Sequence, residues 1–253
     1  MKTVRDLELA QKEAIKLAKL LWSRRHEFDF LTETYDEKKA LDVAFEAVKE
    51  GKLPIYLSDS GDNPTAGSTS DCTNFLRLIM NDKRTVKLSK PVIYGGIYDP
   101  IAVRACENNV GKEITLTFGG KFDTITSKPI TAIGVVKAYI KGWSRMGTVK
   151  SDLVLFNSCG VDIVISEAHV GFTDPSMFND LGVNPSTVEI IVCKLGYLTH
   201  KHNMIAKRSI LALTKGCTNE ELKAIDYKKV RRPIFPLDDD FEYNAFNNLI
   251  IKE

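Results

Sequence analysis

The chain lacks most of the features that assign a protein to a class at first sight. It has no run of about 18 apolar residues that could cross a bilayer, and its first 30 residues are too charged for a secretory leader. Its five cysteines (Cys72, Cys106, Cys159, Cys193 and Cys217) are odd in number, and no two form a C-x-x-C pair. That excludes a disulfide scaffold and points to a reduced, cytoplasmic protein. A surplus of either charge is also lacking: 35 Lys and Arg stand against 33 Asp and Glu, a formal charge of +2. So small a balance creates no field to draw nucleic acid or an anionic membrane, and neither is an expected partner. The basic run 228–232 is offset by Asp238, Asp239 and Asp240 close behind it. Internal repeats, low-complexity tracts and obvious linkers are absent as well.

What remains is 253 residues, 43% hydrophobic and 27% charged. This is ordinary for a soluble globular chain with a sizeable core. Residues 5–25 carry Leu7, Ala10, Ala14, Leu17, Ala18 and Leu21 at helical spacing, an amphipathic stripe that must lie on something. A second helix starts near Asp36, with Ala40, Leu41, Ala44, Ala47 and Val48 on one face and Gly51 placed to stop it. The period then changes. A short strand at 53–58 enters the long loop 59–70, and Asp71 is the expected N-cap of a helix burying Phe75, Leu76, Leu78 and Ile79.

Further strands are expected at 92–98, 114–118, 130–140, 153–156, 162–166, 188–193 and 205–213. Asp99-Pro100 opens a helix as cap and N1 proline, and 175–181 forms a short one. The proline-rich stretch 232–238 ends regular structure. Interleaved strands and helices predict an α/β fold, a mixed β-sheet with flanking helices and an N-terminal helical arm. The arm is placed at 1–35 and the α/β domain at 36–253.

The most informative segment is Ser58-Asp59-Ser60-Gly61-Asp62-Asn63-Pro64-Thr65-Ala66-Gly67-Ser68-Thr69-Ser70-Asp71. It joins a buried strand to a helix start, where α/β sheets usually hold ligands. Gly61 and Gly67 permit positive φ and close backbone approach. No lysine stands in the loop or after Gly67, so it is not a P-loop, and Asp59 and Asp62 would repel a polyanion. A cation, an amine or the hydrogen-bond donors of a polar substrate suit it better. A capped structural turn is the plain alternative.

This loop resembles the C-terminal domain of the microcystinase C-type metallopeptidases. Asp59, Ser60, Gly61, Asp62, Asn63, Pro64, Gly67, Asp71 and Thr73 fit that family's pattern, while Thr65 and Ala66 stand where glycines are more usual. The likeness continues through Tyr98-Asp99-Pro100 with Ala102 and Val103, Val110-Gly111, Gly119-Gly120-Lys121, Lys194-Leu195-Gly196-Tyr197-Leu198 and Arg232-Pro233-Ile234-Phe235-Pro236-Leu237-Asp238. Leu20, Trp22, Arg25 and Phe28 are similar to the segment joining the family's two domains.

The resemblance implies a zinc-dependent enzyme acting on peptide-like amide bonds. Its metal is held by His and Asp of an N-terminal domain that would end about where this chain begins. Zinc is therefore expected for the full enzyme and not on this chain alone, and no H-E-x-x-H occurs here. The partner would be an N-terminal zinc-domain chain, or a second copy through residues 7–21. Asp62 and Asn63 would position substrate or water, and Asp59, Ser60, Gly61, Thr65, Gly67, Asp71 and Lys194 would line the substrate.

Other candidates rest on single residues. His169 follows a strand with Glu167 and Asp174 nearby, as a general base, a substrate contact or a locally bonded loop histidine. His200 and His202 would share a strand face, which a metal could use, although solvated loop histidines are the simpler expectation. A Ser60 or Ser68, His169, Asp62 triad has no G-x-S-x-G elbow behind it. Lys194 either meets a substrate carboxylate or caps the sheet edge in solvent. Two other function classes stay open: a non-catalytic binding module on this fold, and an enzyme for a phosphorylated substrate, against which the loop's aspartates argue.

Overall fold

The computed structural model describes residues 6–145 and 149–246; Arg5, the first residue of the expected helix, and the last residues of the expected domain lie outside them. The chain divides into two compact units, Met1–Leu31 with Leu222–Glu253, and Thr32–Glu221.

In the smaller unit, α1 (Leu7–Ser23) is capped by Asp6, whose carboxylate accepts from Leu9 N. Its half-buried positions are Gln11, Ile15, Ala18 and Trp22, while Leu7, Leu17 and Leu21 are exposed. The Trp22 ring packs on Phe241 and Tyr243 at 4.8 and 4.9 Å, and the Arg25 guanidinium lies over it at 4.1 Å. Residues 232–238 carry no helix or strand.

The larger unit is built on one sheet of β1 (Glu33–Asp36), β2 (Ile55–Asp59), β3 (Val92–Tyr98), β4 (Glu113–Phe118), β5 (Ile130–Trp143), β6 (Ser151–Ser158), β7 (Val161–Ser166), β8 (Ile190–Cys193) and β9 (Arg208–Leu213). The strand order is β1-β9-β2-β8-β3-β7-β6-β5-β4. Pairings from β1 to β7 are parallel and those from β7 to β4 antiparallel, so the sheet is mixed as expected. The parallel strands are covered on both faces, which explains why β2, β7 and β8 are buried at every position.

One face carries α2 (Glu37–Lys49), α3 (Asn74–Asn81) and α4 (Pro100–Cys106) over a core of Leu41, Phe45, Ile55, Phe75, Tyr94 and Phe156. The other carries α5 (Ser176–Asn179) over Tyr56, Ile93, Phe172 and Phe178.

Capping worked as the sequence predicts at two helices. Asp36 accepts from Lys39 N, and Asp99 accepts from Ile101 N and Ala102 N behind Pro100. Gly51 takes φ +71° and stops α2. Three elements differ. The four residues of β1 have no apolar run to betray an edge strand, and its pairing with β9 puts Glu33–Asp36 in the larger unit. The expected strand 205–213 begins later, because α6 (His200–Ile205) precedes β9. And α3 starts after Thr73, not after Asp71, whose carboxylate is engaged elsewhere.

Candidate functional site

Parallel strands bring their C-terminal ends to one edge of the sheet. There β2 ends on Asp59, β8 continues into Lys194 and β9 into Thr214, while Tyr94 reaches in from β3. Lys194 extends the ladder through its N–H to Gly95 O. Its side chain is 1% exposed, and its ammonium donates to Asp59 Oδ2 at 3.1 Å, Asp62 Oδ2 at 2.9 Å and Cys72 O at 2.9 Å. Three donors meet three acceptors. Lys194 thus does not cap the edge in solvent; its ammonium is bonded within the cluster.

The two carboxylates are as fully occupied. Asp59 accepts from Tyr94 Oη and Thr214 Oγ1 as well as from Lys194. Asp62, 0% exposed, accepts from Ser70 N and Cys72 N at 2.8 Å each. Burial disfavours charge on Lys194, but Asp59 foremost, with Tyr94 and Asp62, holds the ammonium well above its ordinary pKa. Burial likewise pushes the Asp62 carboxyl up, and the Lys194 charge with the Cys72 N–H more than offsets it, leaving the pKa lowered. Burial first, then Asp59, drives the Tyr94 phenol well above its usual value. The polar atoms of Asp59, Asp62 and Lys194 face one another inside the cluster.

The loop is laced to the segment after β9. Ser60 Oγ donates to Ala212 O, Gly61 N to Thr214 Oγ1 at 2.7 Å and Asn63 N to Thr218 Oγ1, while Thr218 N returns a bond to Gly61 O. Ser60 is buried and bonded to Ala212 O, and among the described residues no serine is hydrogen-bonded to a histidine. Gly61 and Gly67 serve different ends. Gly67 takes φ +89° in open space, whereas Gly61 keeps an ordinary φ and is needed because Thr214 lies against it. Past the ion cluster only the tip Thr65-Ala66-Gly67 is exposed, with Asn63 and Pro64 half-buried behind it. Asn63 Oδ1 holds the tip by accepting from Thr65 N at 2.9 Å and Thr65 Oγ1 at 2.7 Å.

Asp71 gathers a second loop instead of capping α3. It accepts from Lys121 N at 2.8 Å, Phe122 N at 2.6 Å and Asp123 N at 3.3 Å. Asp71→Ala is expected to cost about 2 kcal/mol, since three backbone donors, one buried and two part-buried, lose a charged acceptor. Amide exchange in 119–127 should accelerate more than in β2, as hydrogen–deuterium mass spectrometry would read.

The histidines separate. His169 is exposed and stacks on Tyr98, ring centroids 3.9 Å apart. Glu167 and Asp174 are paired with Arg104 and Lys201, not with His169. His200 and His202 lie on helix α6, so their spacing no longer puts them on one face. His202 is not a solvated loop residue: it is 0% exposed and its Nε2 bonds Phe172 O at 2.9 Å.

Burial lowers the His202 pKa from 6.5. A depressed histidine contributes stability that is whole above about pH 6.5 and is lost as pH falls, at up to ~1.4 kcal/mol per pH unit, until the lowered folded value is reached. Urea unfolding between pH 7 and 5 should show that slope, and His202→Gln should flatten it.

Among the described residues no group of three or more His, Cys, Asp or Glu is placed to hold a metal ion. The five cysteines are all free, and no helix among the described residues is long and apolar enough to cross a membrane. A cavity of about 520 Å³ lies elsewhere, lined by Arg145, Thr173, Asp174, Met177, Thr199, His200 and Lys201, and no residue of the Asp59–Gly67 loop lines it. Tyr94, Thr214 and Thr218 were not foreseeable as partners of the loop. Each stands in an apolar or featureless stretch, and the two threonines lie some 150 residues away in sequence.

Comparison with known proteins places these features. The family model described as MlrC C-terminus matches residues 57–229. Microcystinase C of Sphingomonas sp. is 25% identical over 194 residues, 73% of this chain and 36% of that one. The crystal structure of a proposed metallopeptidase from Mesorhizobium sp. BNC1 superposes with a TM-score of 0.71 at 21% identity, over 90% of this chain and 45% of that one. The chain thus spans less than half the length of either relative.

Proposed function

From the premise that the chain belongs to the MlrC C-terminus family, we propose that it forms the substrate-cleft half of a zinc metallopeptidase acting on peptide-like amide bonds. The observation that carries this reading is the neutral tip 63–67, held rigidly over a buried Lys194–Asp59–Asp62 cluster at the C-terminal edge of a parallel sheet. Asn63 and Thr65 contact substrate. Asp59, Asp62 and Lys194, with Ser60, Gly61 and Asp71, set the position of the tip without touching substrate. Gly67 turns the tip back toward Asp71, and His169 offers an exposed imidazole on the Tyr98 ring.

The described residues do not fit zinc; the metal and its His and Asp ligands come from an N-terminal zinc-domain chain or segment. The exposed leucines of α1 dock that partner or a second copy. Co-purification from the source cell with metal analysis tests this: a zinc-bearing partner and peptide hydrolysis by the complex are expected, with no turnover by the isolated chain. Stoichiometric zinc with turnover from residues 1–253 alone would sink it. The internally bonded carboxylates also favour a second reading, a non-catalytic binding module that keeps the loop as a rigid surface.

A further inference from the structure

We infer that Asn63 and Glu220, facing each other over Gly196, form a notch that binds an amide group. The inference deepens the proposed amide-hydrolase role and rests on it for its purpose, not for its geometry.

Because Thr65 N donates to Asn63 Oδ1, the Nδ2 end must point the other way. Among the described residues that end has no hydrogen-bond partner. Glu220 Oε2 is buried and also has none. An unpaired buried oxygen of this kind costs about 1–3 kcal/mol. Burial correspondingly pushes the Glu220 carboxyl pKa up.

The support beneath Glu220 is firm. Thr218 is tied to Ser60 O and Gly61 O, and Asn219 N bonds Gly216 O while its Oδ1 accepts from Glu221 N. A Cβ built on Gly196 would stand 2.9 Å from Glu220 Oε1 and 3.7 Å from Asn63 Nδ2. Asn63 Nδ2 and Glu220 Oε1, the other oxygen of that carboxylate, therefore both border one small volume that a Cβ on Gly196 would fill. Gly196 has no left-handed φ, so space and not backbone conformation asks for glycine there.

One donor beside one acceptor matches a peptide or carboxamide group. The ligand carbonyl accepts from Asn63 Nδ2, and the ligand N–H donates to the Glu220 carboxylate. A carboxylate ligand would be repelled by Glu220, and an ammonium would leave Asn63 unmatched.

The test is a titration of the ¹⁵N-labelled full chain with N-acetylglycinamide, with acetate and methylammonium as controls. The Asn63 side-chain amide and the Gly196 N–H should shift with N-acetylglycinamide and not with the controls. Gly196→Ala folds, since only the flexible end of Glu220 must move, and should weaken binding about tenfold by closing the notch. Glu220→Met should do the same while keeping or raising the melting temperature, because it removes an unpaired buried oxygen. A merely structural Glu220 would lose stability instead.

No shift at about 50 mM probe, a concentration suited to so small a ligand, equal shifts from acetate, or full binding by Gly196→Ala each overturn the inference. A chain that binds the probe while its complex cleaves no peptide refutes the proposed activity and leaves the notch. Cleavage by a complex whose notch stays silent does the reverse.

Discussion

Lys194→Met is expected to destabilise the larger unit by about 3–5 kcal/mol at pH 7, because it strands two buried carboxylates without their counter-ion. The wild-type pair is favourable only through its geometry. The ammonium has three acceptors within 3.1 Å, and the carboxylates have Ser70 N, Cys72 N, Thr214 Oγ1 and Tyr94 Oη besides.

The pH dependence is the sharper readout. The folded pKa of Asp62 lies below its ordinary 3.8, so its contribution is present above that value and is lost as acid takes the pH through the folded one. Lys194 is raised above 10.5, so its contribution is whole below that value and is lost as the pH climbs through the raised one. Between these limits the wild type has no slope from Asp62 or Lys194. Without Lys194, the burial that already pushes the Asp62 carboxyl up is no longer offset, and the folded variant binds a proton the unfolded chain releases. Its deficit should therefore shrink from pH 7 to about pH 4.5. Urea unfolding at both values measures this; a deficit below ~1 kcal/mol, or one equal at the two pH values, would show that Lys194 is not the counter-ion.

Gly61→Ala should cost about 3 kcal/mol, near the top of the range for forced overpacking. The new methyl would fall far inside van der Waals contact of Thr214 O and 2.8 Å from Thr214 Oγ1. A backbone oxygen cannot swing aside as a side chain can, so the 212–218 segment must retreat and surrender its bonds to Gly61 and Asn63. Gly67→Ala offers the contrast. Its site is open, and only the left-handed φ of +89° resists, which should cost about 1–2 kcal/mol. Thermal unfolding of the two variants should rank them in that order, with amide exchange at 214–218 rising only in Gly61→Ala. Equal costs would mean that close approach is not what Gly61 provides.

The sequence shows α2 and α4 clearly, because a cap acts over two or three residues and an apolar face repeats every turn. Asp36 and Asp99 do what their neighbours imply. It shows the buried strands too, since a parallel strand covered on both faces reads as a continuous apolar run. The D-S-G-D-N-P loop likewise marks itself as a site of unusual density in Gly and Asp, and its resemblance to a family is carried by order and spacing along the chain. Asp71 is the limiting case: it stands where a cap should, and its carboxylate leaves to collect Lys121, Phe122 and Asp123 N–H groups some 50 residues away. His200 and His202 fail for a related reason, as a six-residue helix has too few turns to show a period.

What the sequence by itself determined is the alternation of elements, the chemistry of the loop and its family, all properties that local stereochemistry and residue order carry. Only the tertiary structure decided which of those polar residues face outward. Lys194 meets Asp59 and Asp62 across 135 and 132 residues, and Glu220 Oε1 and Asn63 Nδ2, from distant segments, both border Gly196. A side chain's charge can be read from one letter. Whether that charge is shielded by a partner or offered to a ligand depends on which distant backbone folds against it.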